Sequence, residues 1–164
     1  MTDTAIVNSS PAHTGPLGLV ERILTLLNKA PFSLIILVAR CATFSVFFRS
    51  GLVKISDWNA TLMLFQDEYK VPILPPNIAA TMAASMELGL SWFVLLGLFT
   101  RVGVLGYFGM IFVIQTFVYP MAWPDHIQWT GFMIFILCRG PGKFSLDHLI
   151  GRALKLRIGP PNNA

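Results

Sequence analysis

Four long apolar runs, separated by polar or charged segments, dominate the chain. They extend over about 34–55, 78–99 and 102–119, with a shorter run at 125–138. At a rise of 1.5 Å per residue, about 20 apolar residues cross the hydrocarbon core of a bilayer. The pattern therefore predicts an all-α protein, with a four-helix transmembrane bundle over residues 31–145.

Two segments that flank the four runs have the periodicity of amphipathic helices. Residues 17–30 form the first, and the second begins after Ser145, a residue type that caps helices, at the start of a segment over 146–164. Both are predicted to lie on the cytoplasmic surface of the membrane. Residues 1–16 lack the features of a cleavable signal peptide, and we expect a disordered tail there.

Composition and charge support this topology. With 54% hydrophobic and 12% charged residues and a mean hydropathy of +0.65, the chain is too apolar for a soluble domain. Eight basic residues flank one set of run ends: Arg22, Lys29, Arg101, Arg139, Lys143, Arg152, Lys155 and Arg157. The other side has only Lys70 among several acids, so the positive-inside rule predicts that both termini are cytoplasmic. The basic tails then contact lipid headgroups, and no nucleic-acid partner is expected.

The first run carries three cations, which are costly in hydrocarbon. Helical spacing places Arg40, Gly51 and Lys54 on one stripe, which we expect to face a partner helix, with Gly51 allowing close approach. Arg49 falls on the opposite side. For Lys54 the favoured interpretation is that its amine reaches the outer interface.

The second run contains an acid, Glu87, near the middle of the membrane on a face of small residues. Gln115 in the third run is expected at a similar depth. We interpret Arg40 and Glu87 as the central pair, which either holds a ligand headgroup or relays a proton, or only neutralises charge and fixes helix register. Arg49, Gln115 and Lys54 either complete a polar intramembrane site or serve as local contacts.

A second group of candidates lies at the outer mouth of the bundle. Its members are Trp58, Asp125, His126 and Trp129. Trp58 belongs to a loop over 56–77 that we expect to lie against the mouth as a lid. One His and one acid make a weak ligand set, so no metal site is predicted.

No catalytic residue can be assigned from a motif. The sequence has no Ser/His/Asp arrangement, phosphate loop, haem-binding motif or flavin fingerprint. Cys41 and Cys138 are interpreted as small buried apolar residues rather than as a redox pair. An autonomous enzyme is therefore not the favoured interpretation.

A set of spaced residues over about 40–150 matches a known family pattern. The matching positions are Arg40, Gly51 and Lys54, then Glu87, Gly97, Thr100 and Arg101, then Trp123 and Pro124, and finally Gly140-Pro141-Gly142-Lys143 and Ser145-Leu146-Asp147. The chain in this respect resembles the DoxX family of small four-helix bacterial inner-membrane proteins. Arg49 departs from the family pattern, in which an apolar residue is commoner at that position.

The resemblance implies a role beside a membrane oxidoreductase. The family is named for a small subunit linked to a quinone-reducing, thiosulfate-oxidising complex, and members are tied to responses to oxidative and thiol stress. We therefore expect an accessory subunit of a quinone-linked or stress-response system, in contact with the lipid bilayer and with a membrane or periplasmic protein. No bound cofactor is predicted, a quinone is the candidate ligand, and homo-oligomerisation stays open. The alternative is a non-redox adaptor, chaperone or maturation factor for a partner protein or a metal-binding peptide.

Overall fold

The computed structural model describes residues 15–154, and every regular element in that range is helical. The α-helices are α1 (Pro16–Asn28), α2 (Phe32–Ser56), α3 (Trp58–Leu64), α4 (Pro76–Leu96), α5 (Thr100–Val113), α6 (Trp123–Arg139) and α7 (Leu146–Ala153). A π-helical turn follows α3 at Phe65–Tyr69, and another extends α5 at Ile114–Val118. The chain divides into two units, one up to Pro31 and one from Phe32 onward, and the second contains the features described below. The all-α prediction is confirmed.

Within the described range, three helices are long and apolar enough to cross a membrane. They are Phe32–Ser56, Pro76–Leu96 and Thr100–Val118. Large apolar side chains such as Val38, Val102 and Phe112 are more than 60% exposed on their outward faces. Such an exposed apolar surface is typical of contact with lipid. The fourth predicted span forms as α6, which has only 17 residues, and its crossing of the bilayer stays a prediction.

The four longest helices of the second unit pack in a ring. α2 lies against α4 and α6, and α5 lies against α4 and α6 on the other side. We call the end where α4 meets α5 the basic end, because Arg101, Arg139 and Lys143 lie there. The opposite end, which holds α3 and carries Asp57, Asp67, Glu68 and Asp125, is the acidic end.

Small residues allow α2 and α4 to approach closely, as predicted. Ala80, Ala84 and Ser91 are buried on one face of α4. A Cβ atom added to Gly51 would lie 2.8 Å from the Leu88 side chain. Gly51 therefore lies where α2 meets α4, which confirms the prediction of a close helix contact there.

The loop predicted to act as a lid is largely helical. Asp57 begins α3 by accepting a hydrogen bond from the Ala60 amide at 2.9 Å. Phe65 is buried against Ala79 and Ala80, and Trp58 packs on the same cluster. The segment thus lies on α4 at the acidic end, as expected, but as an ordered helix.

Cys41 and Cys138 are free and exposed, so the expectation that they are buried is wrong. A small apolar side chain in a membrane helix needs no protein core, because lipid is an equally apolar surrounding.

A helix is present in each of the two flanking segments. α1 begins at Pro16, and Ser145 caps α7 by accepting a hydrogen bond from the His148 amide at 3.1 Å. Their position on the membrane surface stays a prediction. The tail predicted to be disordered lies, up to residue 14, outside the described residues, as do positions 155–164 of the C-terminal segment.

Candidate ligand site between the helices

Arg40 forms a structural junction at the basic end. Its side chain is 1% exposed and donates four hydrogen bonds to backbone carbonyls. The acceptors are Val94 (from Nε, 2.8 Å), Leu95 (from Nη2), Pro141 (from Nη1, 3.0 Å) and Phe144 (from Nη1, 2.6 Å). Val94 and Leu95 lie in the last turn of α4, where carbonyls lack helical partners and carry the negative end of the helix dipole. The cation is thus stabilised by backbone dipoles.

Several residues behind the family resemblance belong to this same junction. Asp147 accepts hydrogen bonds from the amides of Phe99 (2.8 Å) and Thr100 (3.0 Å) and from the Thr100 hydroxyl (2.8 Å), so it caps α5. Gly97 has a φ of 70°, and a Cβ there would lie 2.4 Å from the Ser145 Cβ. Only glycine fits this position without strain. These residues hold the helix ends together rather than lining a site.

The predicted pairing of Arg40 with Glu87 is wrong. Helical periodicity identified correctly that both side chains face inward, but it does not give their height in the bundle. Arg40 precedes Lys54 by 14 residues, which is about 21 Å along α2. Because α2 and α4 are antiparallel, Arg40 meets the C-terminal end of α4, and Lys54 is the cation that meets Glu87.

Lys54, whose side chain is 14% exposed, and the buried Glu87 form an ion pair between α2 and α4. The Lys54 Nζ lies 2.8 Å from Glu87 Oε1, and it also donates to Ser50 Oγ at 3.0 Å. Ser50 in turn donates to the same Oε1 at 3.0 Å. The interpretation that Lys54 reaches the outer interface is therefore wrong, because an acid on the facing helix provides a closer partner for its charge.

The two carboxylate oxygens of Glu87 have different surroundings. Glu87 is 3% exposed, and its Oε2 has no hydrogen-bond partner among the residues that the structure describes. Buried polar atoms are nearly always hydrogen-bonded, so an exception needs an explanation.

The turn of α4 that carries Glu87 is held in place by hydrogen bonds and by aromatic packing. Ser91 donates to the Glu87 carbonyl at 2.5 Å and lies 2.7 Å from the Tyr107 hydroxyl. The Tyr107 ring stacks on Phe47 with centroids 4.0 Å apart. The carboxylate is therefore held by packed residues from α2, α4 and α5, which is the arrangement that a precise binding site needs.

A cavity of about 620 Å³ lies beside the ion pair. Ser50, Lys54 and Glu87 supply its polar wall, and most of the remaining lining is apolar, including Phe47, Met86 and Trp129. Its volume is within the range of about 300–1,000 Å³ that is typical of small-molecule sites. The cavity thus combines mostly apolar walls with the Lys54–Glu87 ion pair.

Two tyrosines lie at the acidic end of the cavity. Tyr119 donates to Glu68 Oε1 at 2.7 Å, and its ring meets Tyr69 edge-on at 5.4 Å. Burial raises the pKa of Tyr69, and a hydrogen bond with Tyr69, together with burial, raises the pKa of Tyr119. Both groups are therefore neutral hydroxyls at physiological pH, and they link the segment after α3 to the end of α5.

The structure separates the predicted outer-mouth residues. His126 and Trp129 line the cavity, as does Asp125, whose side chain is otherwise exposed. His126 is 2% exposed and lies 2.5 Å from Gln115 Oε1 through Nδ1. Trp58 packs behind Phe65 instead.

Two other predicted site residues lie apart from the ion pair. Gln115 is only about one turn from the acidic end of α5, where it also donates to the Pro120 carbonyl at 2.7 Å. Its predicted depth beside Glu87 is therefore wrong. Arg49 is exposed on the outward face of α2, away from the cavity. No cluster of three potential metal-binding side chains occurs among residues 15–154.

Some residues that line the site were not predicted from the sequence. Ser50 lies one helical turn before Lys54, so the i, i+4 spacing was a usable signal. Tyr69 and Tyr119 are 50 positions apart and meet only through tertiary packing, so no local pattern indicates their contact.

Comparison with known proteins identifies one family. The DoxX family model matches residues 35–120, which is more than half of the chain. The match includes α2, α4 and α5, and therefore Arg40, Lys54 and Glu87. No curated protein and no solved structure matches the chain.

Proposed function

The chain belongs to the DoxX family, and we propose from this premise that it is an accessory membrane subunit that binds a quinone for an oxidoreductase system. The observation that carries the proposal is the cavity beside Lys54 and Glu87. Its apolar walls suit a lipid-soluble molecule, and its ion pair suits a polar headgroup at one end of that molecule.

A quinone has both features. Its ring bears carbonyl oxygens, and its isoprenoid tail is apolar. The Lys54 ammonium has three N–H donors, of which Glu87 and Ser50 accept two, so one remains for a ligand oxygen. Lys54 would hold the headgroup while Phe47, Met86 and Trp129 pack on the apolar part.

The partner supplies the electron-transfer step in this proposal. Lys54, Glu87 and Ser50 can bind and orient a quinone, but these side chains do not carry electrons. The partner is a membrane or periplasmic oxidoreductase of a quinone-linked or stress-response pathway.

The proposed location is the bacterial inner membrane, with α6 as the fourth span and with both termini in the cytoplasm. The support is the separation of charge between the two ends of the helix ring. Basic residues at one end and acidic residues at the other follow the positive-inside rule.

Direct titration tests the proposed ligand. The purified chain in lipid nanodiscs should bind a short-chain ubiquinone saturably, and the fluorescence of Trp129 in the cavity should be quenched. The double variant Lys54→Gln, Glu87→Gln should bind more weakly. Arg49→Gln, which removes an outward-facing cation from the same helix, should bind like the wild type.

The absence of saturable binding of both the quinone and its reduced quinol by the wild type would overturn the proposal. Purification of the protein together with its native partners tests the alternative function. Recovery of a secreted protein or a metal-binding peptide in place of a redox enzyme would favour the adaptor or maturation factor.

A further inference from the structure

Glu87 Oε2 indicates which chemical group the cavity binds. The other carboxylate oxygen, Oε1, already accepts hydrogen bonds from Lys54 and Ser50. Oε2 is buried and has no partner among residues 15–154, and Glu87 is one of the residues that line the cavity. A carboxylate oxygen can only accept, and leaving it unpaired is unfavourable. The missing partner is therefore a donor, such as a hydroxyl group, carried by the ligand.

The cavity wall includes exposed positions on α4 and α5, which indicates a side opening between these two helices. Met82, Leu105 and Gly109 line the cavity and are exposed on the outer surface of the helices. Met82 lies six residues after the start of α4, and Gly109 lies nine residues before the end of the α5 span. These positions are about 9 Å and about 13 Å from the acidic end, and Leu105 is deeper still. The opening is therefore at the depth of the lipid hydrocarbon.

From these two observations we propose that the cavity takes a hydroxyl-bearing lipid-soluble molecule from the bilayer, whose O–H donates to Glu87 Oε2. This inference rests on the proposed function in one respect: if the ligand is a quinone species, the bound form is the reduced quinol. An oxidised quinone ring has only acceptors, and it would place a carbonyl against an unpaired carboxylate oxygen. The quinol supplies the O–H donor and still leaves an oxygen for Lys54.

The test compares the two redox forms on the same protein. The full chain in nanodiscs is titrated anaerobically with short-chain ubiquinol, with the matching ubiquinone and with the isoprenoid alcohol farnesol. The quinol should bind at least about tenfold more tightly than the quinone, because one hydrogen bond to a charged group accounts for such a factor. Equal affinity for the two forms, or tighter quinone binding, would overturn the inference while leaving the proposed function in place.

The other outcomes distinguish the inference from the proposed function. Binding of farnesol without either quinone form would refute the quinone role and retain the hydroxyl site. Failure of all three molecules to bind would refute both.

Glu87→Gln provides a second measurement of the same contact. The glutamine amide adds N–H donors where the wild type has only acceptors, so the preference should shift toward the quinone. An unchanged preference in a folded Glu87→Gln protein would overturn the inference. If this variant does not fold, the wild-type comparison of quinol with quinone still decides.

Two matched glycine variants test the side opening. A Cβ added at Gly109 has no atom within 4 Å, and the same is true at Gly89, which is exposed on α4 and does not line the cavity. Gly109→Phe should slow ligand association severalfold, whereas Gly89→Phe should not. Wild-type association kinetics in Gly109→Phe would refute the lateral route.

Discussion

Two inward-facing cations on one helix serve different purposes. Arg40 satisfies carbonyls at the end of α4, and its planar guanidinium reaches four acceptors at once. Lys54 has a compact ammonium that pairs with a single acid and retains a donor for a ligand. The sequence shows both as inward-facing charges in an apolar run, but only the surrounding groups reveal that the first is structural and the second lies at the cavity.

Arg40→Met should destabilise the fold without changing the cavity. Several buried carbonyls would lose their donor, and each unsatisfied group costs about 1–3 kcal/mol, so the free energy of unfolding should fall by about 3 kcal/mol or more. Thermal unfolding in detergent measures this effect, with Arg49→Met as the outward-facing control. Arg40→Lys should restore little of the lost stability, since one ammonium group cannot reach all four acceptors. A stable Arg40→Met protein that no longer binds ligand would show that Arg40 takes part in ligand binding.

Lys54 and Glu87 should behave as a coupled pair. Lys54→Met or Glu87→Met alone leaves an uncompensated buried charge, which typically costs about 3–5 kcal/mol. Replacing both with Met should recover much of that stability because the cavity wall is otherwise apolar, yet ligand binding should be lost. Thermal unfolding of all four proteins in a double-mutant cycle measures the coupling. Additive losses in the double variant would show that the two side chains do not stabilise one another.

At the scale of helices, the sequence predicts faces better than heights. The stripe of Arg40, Gly51 and Lys54 and the small-residue face of α4 are both correct, because the 3.6-residue period fixes orientation around the axis. The relative height of two helices depends on where each begins and on the loops between them. Glu87 therefore meets Lys54 instead of Arg40, and Gln115 lies near the acidic end. The segment after α2 was also harder to predict, since its helix is short and stabilised by packing on Phe65.

Gly51→Leu should weaken the contact between α2 and α4. Even a Cβ at Gly51 would lie 2.8 Å from Leu88 and 3.1 Å from the Glu87 Cβ, so a leucine side chain must push the helices apart. Overpacking of this kind costs about 1–3 kcal/mol, and the shift should also disturb the Lys54–Glu87 distance. Thermal stability and ligand affinity should both fall, whereas Gly89→Leu, which has open space, should preserve both. Wild-type stability in Gly51→Leu would show that the helices can separate there at little cost.

At the scale of the whole molecule, buried polar groups lie inside the helix ring, and the charges differ between its two ends. The helix ring buries Arg40, Glu87 and His126 and exposes large apolar side chains to its surroundings. Along the ring axis, basic residues collect at one end and acidic residues at the other. The first distribution suits a lipid environment, and the second is the basis of the proposed direction of the molecule in the membrane. The proposed side opening between α4 and α5 would connect the cavity to that lipid environment.

This direction predicts the labelling of single cysteines in intact cells. The native Cys41 and Cys138 are exposed, so both should first be replaced by serine to remove background labelling. Asp67→Cys at the acidic end should then react with a membrane-impermeant maleimide from outside the inner membrane, because few basic residues hold that end in the cytoplasm. Arg152→Cys in α7 should react only after the inner face is opened. Reaction of position 152 in sealed cells, with position 67 protected, would reverse the orientation and place the segment after α3 on the cytoplasmic side.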